Sequence, residues 1–339
     1  MGSEVSVNTS RTHLDWYESS LQTPCVLPDV SIDETMVKFA SLTSNMELRQ
    51  YSNQLVQSVP DYIDRLGSRL GSLNSVPNAV GLGALVIYLF MDLIFKSNEK
   101  KSEVDEMYTM FRRVFAEEKA SSVRDTMSEY VARHGAYIHN DVRLLEELQR
   151  LETQLSNHLT ILKNSLLYDN QMSSRGFKIW ANGAAFHLQM VIHQARLKNP
   201  SGQEYSDTVR TINLMIDRYT QNLNVLMEKF KAYRISTTEI VPHKHASFGE
   251  YGAMLYQVGC EIRSKENYNC LAIHQTGIKN NDPCGRGDLV EAYVNHIFSK
   301  YPLVSSLTGN FSDIKQNLDA LLKQHDAFNP VDIDITPKK

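Results

Sequence analysis

The 339-residue chain carries none of the common signatures of catalysis. It contains no GxGxxG, no P-loop, no HExxH and no GxSxG. A dinucleotide cradle, a phosphate loop, a zinc-protease helix and a nucleophile elbow are therefore not indicated. Cysteine is scarce, with four residues at positions 25, 260, 270 and 284 and no CxxC pair. A structural zinc site is not expected from that spacing, and reduced thiols are the simplest state. An oxidising compartment would leave three pairings open among the four. Glycine and proline are also few, at 16 and 10, which excludes a fibrous or loop-dominated chain. Neither sign of charge dominates: 35 basic residues face 39 acidic ones, and the net charge is −4. No basic stripe is present, so nucleic acid is not an expected partner. The opening MGSEVSVNTSRTH has no apolar h-region, so no secretory signal is expected. The expected location is the cytoplasm, or outside the cell by an unconventional export route. Gly2 and Ser6 fit the short myristoylation pattern, which would supply one weak anchor.

Helical periodicity is abundant. Ser31-Ile-Asp-Glu34 reads as a capping box that starts a helix. Leu55, Val59, Ile63, Leu66, Leu70 and Leu73 then form an apolar stripe, which Pro60 should kink. Val104, Tyr108, Phe111 and Phe115 continue a stripe. Val123, Met127, Tyr130, His134 and Tyr137 follow, and Leu145, Leu148, Leu151, Leu155, Leu159, Leu162 and Leu166 extend it. No proline lies between Pro77 and Pro200, so a very long helix is expected here, with breaks possible at residues 120–122 or at Gly135. Residues 173–197 read as a helix apolar on most sides, which predicts a buried one. The cleanest pattern is Tyr205, Val209, Ile212, Ile216, Tyr219, Leu223, Leu226, Phe230 and Tyr233. Its 4, 3, 4, 3 spacing is a coiled-coil-like a/d seam that a strand could not produce. A helix packed in a bundle satisfies it; a dimerising coiled coil is the other reading. From residue 236 onward glycine and proline crowd in, and short helices are expected from Ser247, Gly287 and Ser312.

Candidate chemistry is thin. His187 and His193 lie six apart, and His134 and His139 five apart, so neither pair presents metal ligands at i, i+4. His243 and His245 could face a metal from a loop, without an accompanying carboxylate pattern. Cys270, His274 and Cys284 are the tightest group of nucleophile and base types, and packing or a disulfide explains them as well. No enzyme activity, cofactor or metal is expected.

The anomaly is residues 76–101, VPNAVGLGALVIYLFMDLIFKSNEKK. No charge occurs from Ala79 to Met91, and after Asp92 the run resumes through Leu93, Ile94 and Phe95 before Lys96, Lys100 and Lys101 close it. It reads in three ways. It could be the central helix of a bundle, apolar all round. It could be a permanent span, although a span needs about 20 apolar residues and Asp92 is costly near lipid. It could be a concealed element that shelters against the bundle in water and later enters lipid. Gly81 and Gly83 each cost a helix about 1 kcal/mol relative to alanine and would permit a bend. Burial in protein or in lipid gives similar hydrophobic gain, so a modest trigger could decide between them.

An apolar element set between long helices, with a heptad helix after them, resembles the α-helical pore-forming toxins of the cytolysin A type. The resemblance covers residues 35–235 and rests on the placement of residues 76–95. It implies a soluble monomer that releases an apolar tongue and assembles into a ring on a membrane. Separately, WANGAAFHLQMVIHQARL, residues 180–197, is similar to fish proteins of the rapunzel-like kind.

The expected fold is all-α: an N-terminal arm over residues 1–34, an elongated helical bundle over 35–235 and a smaller glycine-interrupted helical region over 236–339. The expected function is membrane binding or pore formation, with a lipid membrane and further copies of the chain as partners. Val80, Leu82, Leu85, Val86, Ile87, Leu89, Phe90, Leu93 and Phe95 are the candidate lipid contacts, with Gly81 and Gly83 as the bend. The alternative is a non-enzymatic intracellular helical scaffold in which the apolar run is permanent core. An enzyme using Cys270 or Cys284 is a third possibility.

Overall fold

A computed structural model describes residues 30–32, 121–137, 140–248, 254–276, 287–300 and 302–323, with single positions between 37 and 50. The chain is mostly α-helical and its helices pack as a bundle. In chain order the described elements are α1 (Ser121–Tyr137), α2 (Asp141–Tyr168), α3 (Ser174–Lys198), α4 (Gly202–Thr237), β1 (Thr238–Phe248), β2 (Met254–Ser264), β3 (Asn267–Thr276), α5 (Gly287–Lys300) and α6 (Pro302–Lys323). The candidate lipid contacts Val80 to Phe95, and the glycines of the bend, lie outside the described residues.

The helix α3 is the axis of the bundle. Every residue from Ile179 to Met190 is buried, on all faces of the helix. Four helices surround it: α1, α2, α4 and α6. Its ends are set locally. Ser173 is extended and its hydroxyl accepts from the Gly176 N–H, which satisfies a first-turn donor. At the other end Asn199 takes the left-handed conformation with φ 48°, and its N–H returns to the Ala195 carbonyl. Pro200 then prevents continuation. A close approach at Gly183 lets α1 and α2 reach this axis together. A Cβ there would meet Leu159 Cδ2 and Val123 Cγ1, each at 2.8 Å.

The surrounding helices use the stripes that the sequence shows. On α1, Val123, Met127, Tyr130 and His134 are buried. On α2 the buried set is Leu144, Leu148, Leu151, Leu155, Leu159 and Leu166. Leu144 therefore starts that seam in place of the expected Leu145, and Leu162 is partly buried against the core. The long rod is interrupted before α2, where the Asn140 side chain accepts from the Arg143 N–H and starts a new helix. The heptad seam of α4 faces the core: Ile212, Ile216, Tyr219, Leu223, Leu226 and Phe230 are buried, and Tyr205, Val209 and Tyr233 pack at its margins. This seam is used within the chain, against α3 and α6. With 36 residues, α4 is roughly 54 Å long at 1.5 Å per residue.

Residues 238–276 differ from the expected short helices. Residues 238–248, 254–264 and 267–276 form an antiparallel sheet of order β1-β2-β3, and the anticipated helix start at Ser247 lies in β1. The two-residue turn Lys265-Glu266 joins β2 to β3, with Ser264 opposite Asn267. That turn docks on the bundle. The Glu266 carboxylate accepts from the Ser174 N–H at 2.8 Å and from the Ser174 hydroxyl at 2.5 Å. It also receives Arg234 Nη1 at 2.9 Å, and the Lys265 N–H donates to the Thr237 carbonyl at 2.8 Å. One carboxylate therefore ties the N-terminus of α3, where an anion is favoured, to the C-terminal turn of α4. Helix α6 begins at Pro302, a residue suited to a first helical turn, ten positions before the expected start. Its Leu307, Phe311, Ile314, Leu318, Leu321 and Leu322 join the same core as α3 and α4. The change from helix to strand falls between Thr237 and Thr238, and the hydrophobic core continues beyond it through α6.

Candidate functional site

The two polar clusters of interest are both built on α3. The first opens to the surface. Helices α2 and α4 each pack well on α3 but touch each other little, so a cleft remains between them. Its α2 wall carries Ser156, Leu159, Thr160 and Lys163, and its α4 wall carries Met215, Arg218, Tyr219 and Asn222. Each set has the spacing i, i+3, i+4, i+7 that aligns side chains on one helix face. The floor is α3, which contributes Trp180 and His187, two turns apart. The volume of the cleft is about 80 Å³.

A hydrogen-bonded chain runs under this cleft. His187 is 1% exposed, and its Nε2 lies 2.8 Å from Glu152 Oε1 on α2. Its Nδ1 lies 3.1 Å from the Tyr219 hydroxyl on α4. A neutral imidazole fits this arrangement when Nε2–H donates to the carboxylate and Nδ1 accepts from the phenol. The bond from His187 holds the Glu152 carboxyl below its ordinary range. Burial, reinforced by the Glu152 charge, pushes the Tyr219 phenol up, so it stays protonated and able to donate. Both ring nitrogens are engaged, so His187 has no free lone pair to act as a base in the cleft. The network fixes the three helices relative to one another and holds Tyr219 in the wall.

The cleft itself is positive. Lys163 and Arg218 stand on opposite walls, and neither has an ion-pair partner among the described residues. No carboxylate lines the cleft among the described residues.

The second cluster is sealed. Tyr130 and His134 on α1 meet His193 on α3, with Tyr130 Oη 2.7 Å from His193 Nδ1 and the two imidazoles 5.1 Å apart between ring centres. Both histidines are 1% exposed. His134 Nδ1 and His193 Nε2 have no hydrogen-bond partner among the described residues. Burial lowers the His134 pKa to about 4. It also lowers that of His193, helped by the nearby His134 and Arg196.

Neither cluster is visible as a sequence motif. Glu152, His187 and Tyr219 are 35 and 32 residues apart on three helices, and only packing joins them. His134 and His193 are likewise brought together from different helices, although each lay beyond i, i+4 reach of the histidine it was first paired with. Of the cysteine group, Cys270 and His274 fall in β3, where the His274 backbone pairs with Cys260 of β2, and Cys284 lies outside the described residues. His243 and His245 belong to β1. Among the described residues no group of three or more His, Cys, Asp or Glu could hold a metal ion, and no helix is long and apolar enough to cross a membrane. No protein-family model, curated protein or solved structure matches the chain.

Proposed function

We propose that the protein is a membrane-interacting helical bundle whose segment 76–95 is the element that enters lipid, with self-association accompanying that step. The observation that supports this reading is the occupancy of the bundle axis. A bundle of this kind has room for one helix that is buried on every side, and α3 fills that place with Phe177, Trp180, Phe186, Leu188 and Met190. Among the described residues, α1, α2, α4 and α6, with Val30 and Ile32, already pack apolar side chains around α3. A second apolar run in such a chain gains most from another apolar phase. Val80, Leu82, Leu85, Val86, Ile87, Leu89, Phe90, Leu93 and Phe95 are then the lipid contacts, and Gly81 and Gly83 the bend. Lys96, Lys100 and Lys101 would meet acidic headgroups.

The test is dye release from vesicles containing acidic lipid. Wild-type protein releases dye, and Leu85→Asp abolishes release while its thermal stability is almost unchanged. If Leu85→Asp instead unfolds the protein, the run is permanent core and the scaffold reading replaces this one, because an unpaired buried carboxylate costs several kcal/mol.

A further inference from the structure

We propose that the cleft between α2 and α4 is a binding site for an oxyanion carried on a short apolar body, a phosphate monoester being the best match. Three features carry this. Lys163 and Arg218 line opposite walls of the cleft without carboxylate partners among the described residues, which leaves two cationic side chains for an anion. A guanidinium offers a planar fork of donors and an ammonium a compact charge, a pairing that suits phosphate oxygens. Leu159 and Met215 on the walls and Trp180 on the floor supply apolar surface. One water needs about 15 Å³ of such space, so 80 Å³ admits a phosphate-sized group.

The buried network supplies the third feature. Glu152 is the nearby negative charge that would oppose an anion, and it is engaged behind the wall by His187 Nε2 at 2.8 Å. Tyr219 is held by His187 Nδ1 as well, so the α4 wall does not need to reorganise on binding. A preformed wall lowers the ordering cost of binding. The site lies wholly within the described bundle and does not depend on segment 76–95 entering lipid. The same chemistry is offered by a soluble phosphate monoester and by an acidic lipid headgroup.

Calorimetric titration of the full chain with butyl phosphate, inorganic phosphate and butanol tests the site, with Lys163→Gln/Arg218→Gln as the altered protein. Butyl phosphate should bind saturably, at least tenfold more tightly than inorganic phosphate and than butanol. The double variant, whose altered side chains are half-buried at Lys163 and exposed at Arg218, should retain its fold by circular dichroism and lose at least tenfold in affinity. Lys229→Gln, which removes a charge from an exposed position of α4 outside the cleft, should bind within threefold of wild type. Vesicles of phosphatidic acid distinguish the sources: binding stronger than to butyl phosphate, and lost in the double variant, assigns the site to lipid headgroups, whereas equal or weaker binding assigns it to soluble phosphates. Affinity for butyl phosphate that stays within twofold in the double variant, or that matches butanol, overturns the proposal.

Discussion

Acid should loosen the attachment of α1 to α3, and the sealed histidine pair sets the size of the effect. His134 and His193 are neutral in the fold because charging them would place a cation in an apolar pocket. The groups facing them are Tyr130 from α1 and Arg196 from α3; no carboxylate is among the charges acting on either ring. Their folded pKa values lie below the unfolded value of about 6.5. The unfolded chain therefore binds more protons below pH 6.5, and stability falls as the pH drops from there toward 4. For His134, with a folded pKa of about 4, the full loss is about 3 kcal/mol, of which about 2 kcal/mol has gone by pH 5. His193 adds in the same direction. Urea unfolding at pH 7 and pH 5 measures this directly, and His134→Leu provides the reference. Leucine cannot titrate, and it removes a ring nitrogen that has no partner among the described residues, so the variant should be near wild-type stability at pH 7. Its loss between pH 7 and 5 should be about 2 kcal/mol smaller than that of the wild type. Other titrating groups contribute equally to both proteins and cancel, except His193, whose own loss shrinks without the His134 charge and so adds to the difference. If the two proteins lose the same amount, the pair is not held neutral by burial and the reasoning fails.

Other perturbations follow from the same contacts. Glu266→Ala should destabilise the fold by about 3 kcal/mol in chemical denaturation, because Arg234, 1% exposed, loses its carboxylate and Ser174 loses its acceptor. Glu266→Gln should recover part of that loss by still accepting from Ser174. Tyr219→Phe should cost about 1–3 kcal/mol by leaving the buried His187 Nδ1 without its donor.

The helices were legible in the sequence wherever one face is apolar and the other wet. The seam of α4 could be read residue by residue because its period never slips, and α3 could be recognised as buried because it has no polar face. The start of α2 was harder. Leu144 and Leu145 are adjacent and equally apolar, and only the phase fixed by the Asn140 cap turns Leu144 inward. The strands were not legible. Glycines and Pro242 in residues 238–276 break helical and alternating patterns alike, and the docking of the sheet depends on Glu266, whose partners Ser174 and Arg234 lie 92 and 32 residues away. The cleft was hidden for a similar reason. Lys163 and Arg218 look like ordinary solvated positions on separate helices until α3 sets the distance between them.

The Glu266 latch has a bearing on the order of events at the ribosome. The serine that it grips is made 92 residues earlier, so nearly the whole of α3 and α4 emerges before the carboxylate that pins both of them. Until then Arg234 lacks the Glu266 carboxylate, and among the described residues the front of the axial helix has the Ser173 cap. A fragment that stops at the end of α4 would contain most of the rods and still be missing their clasp.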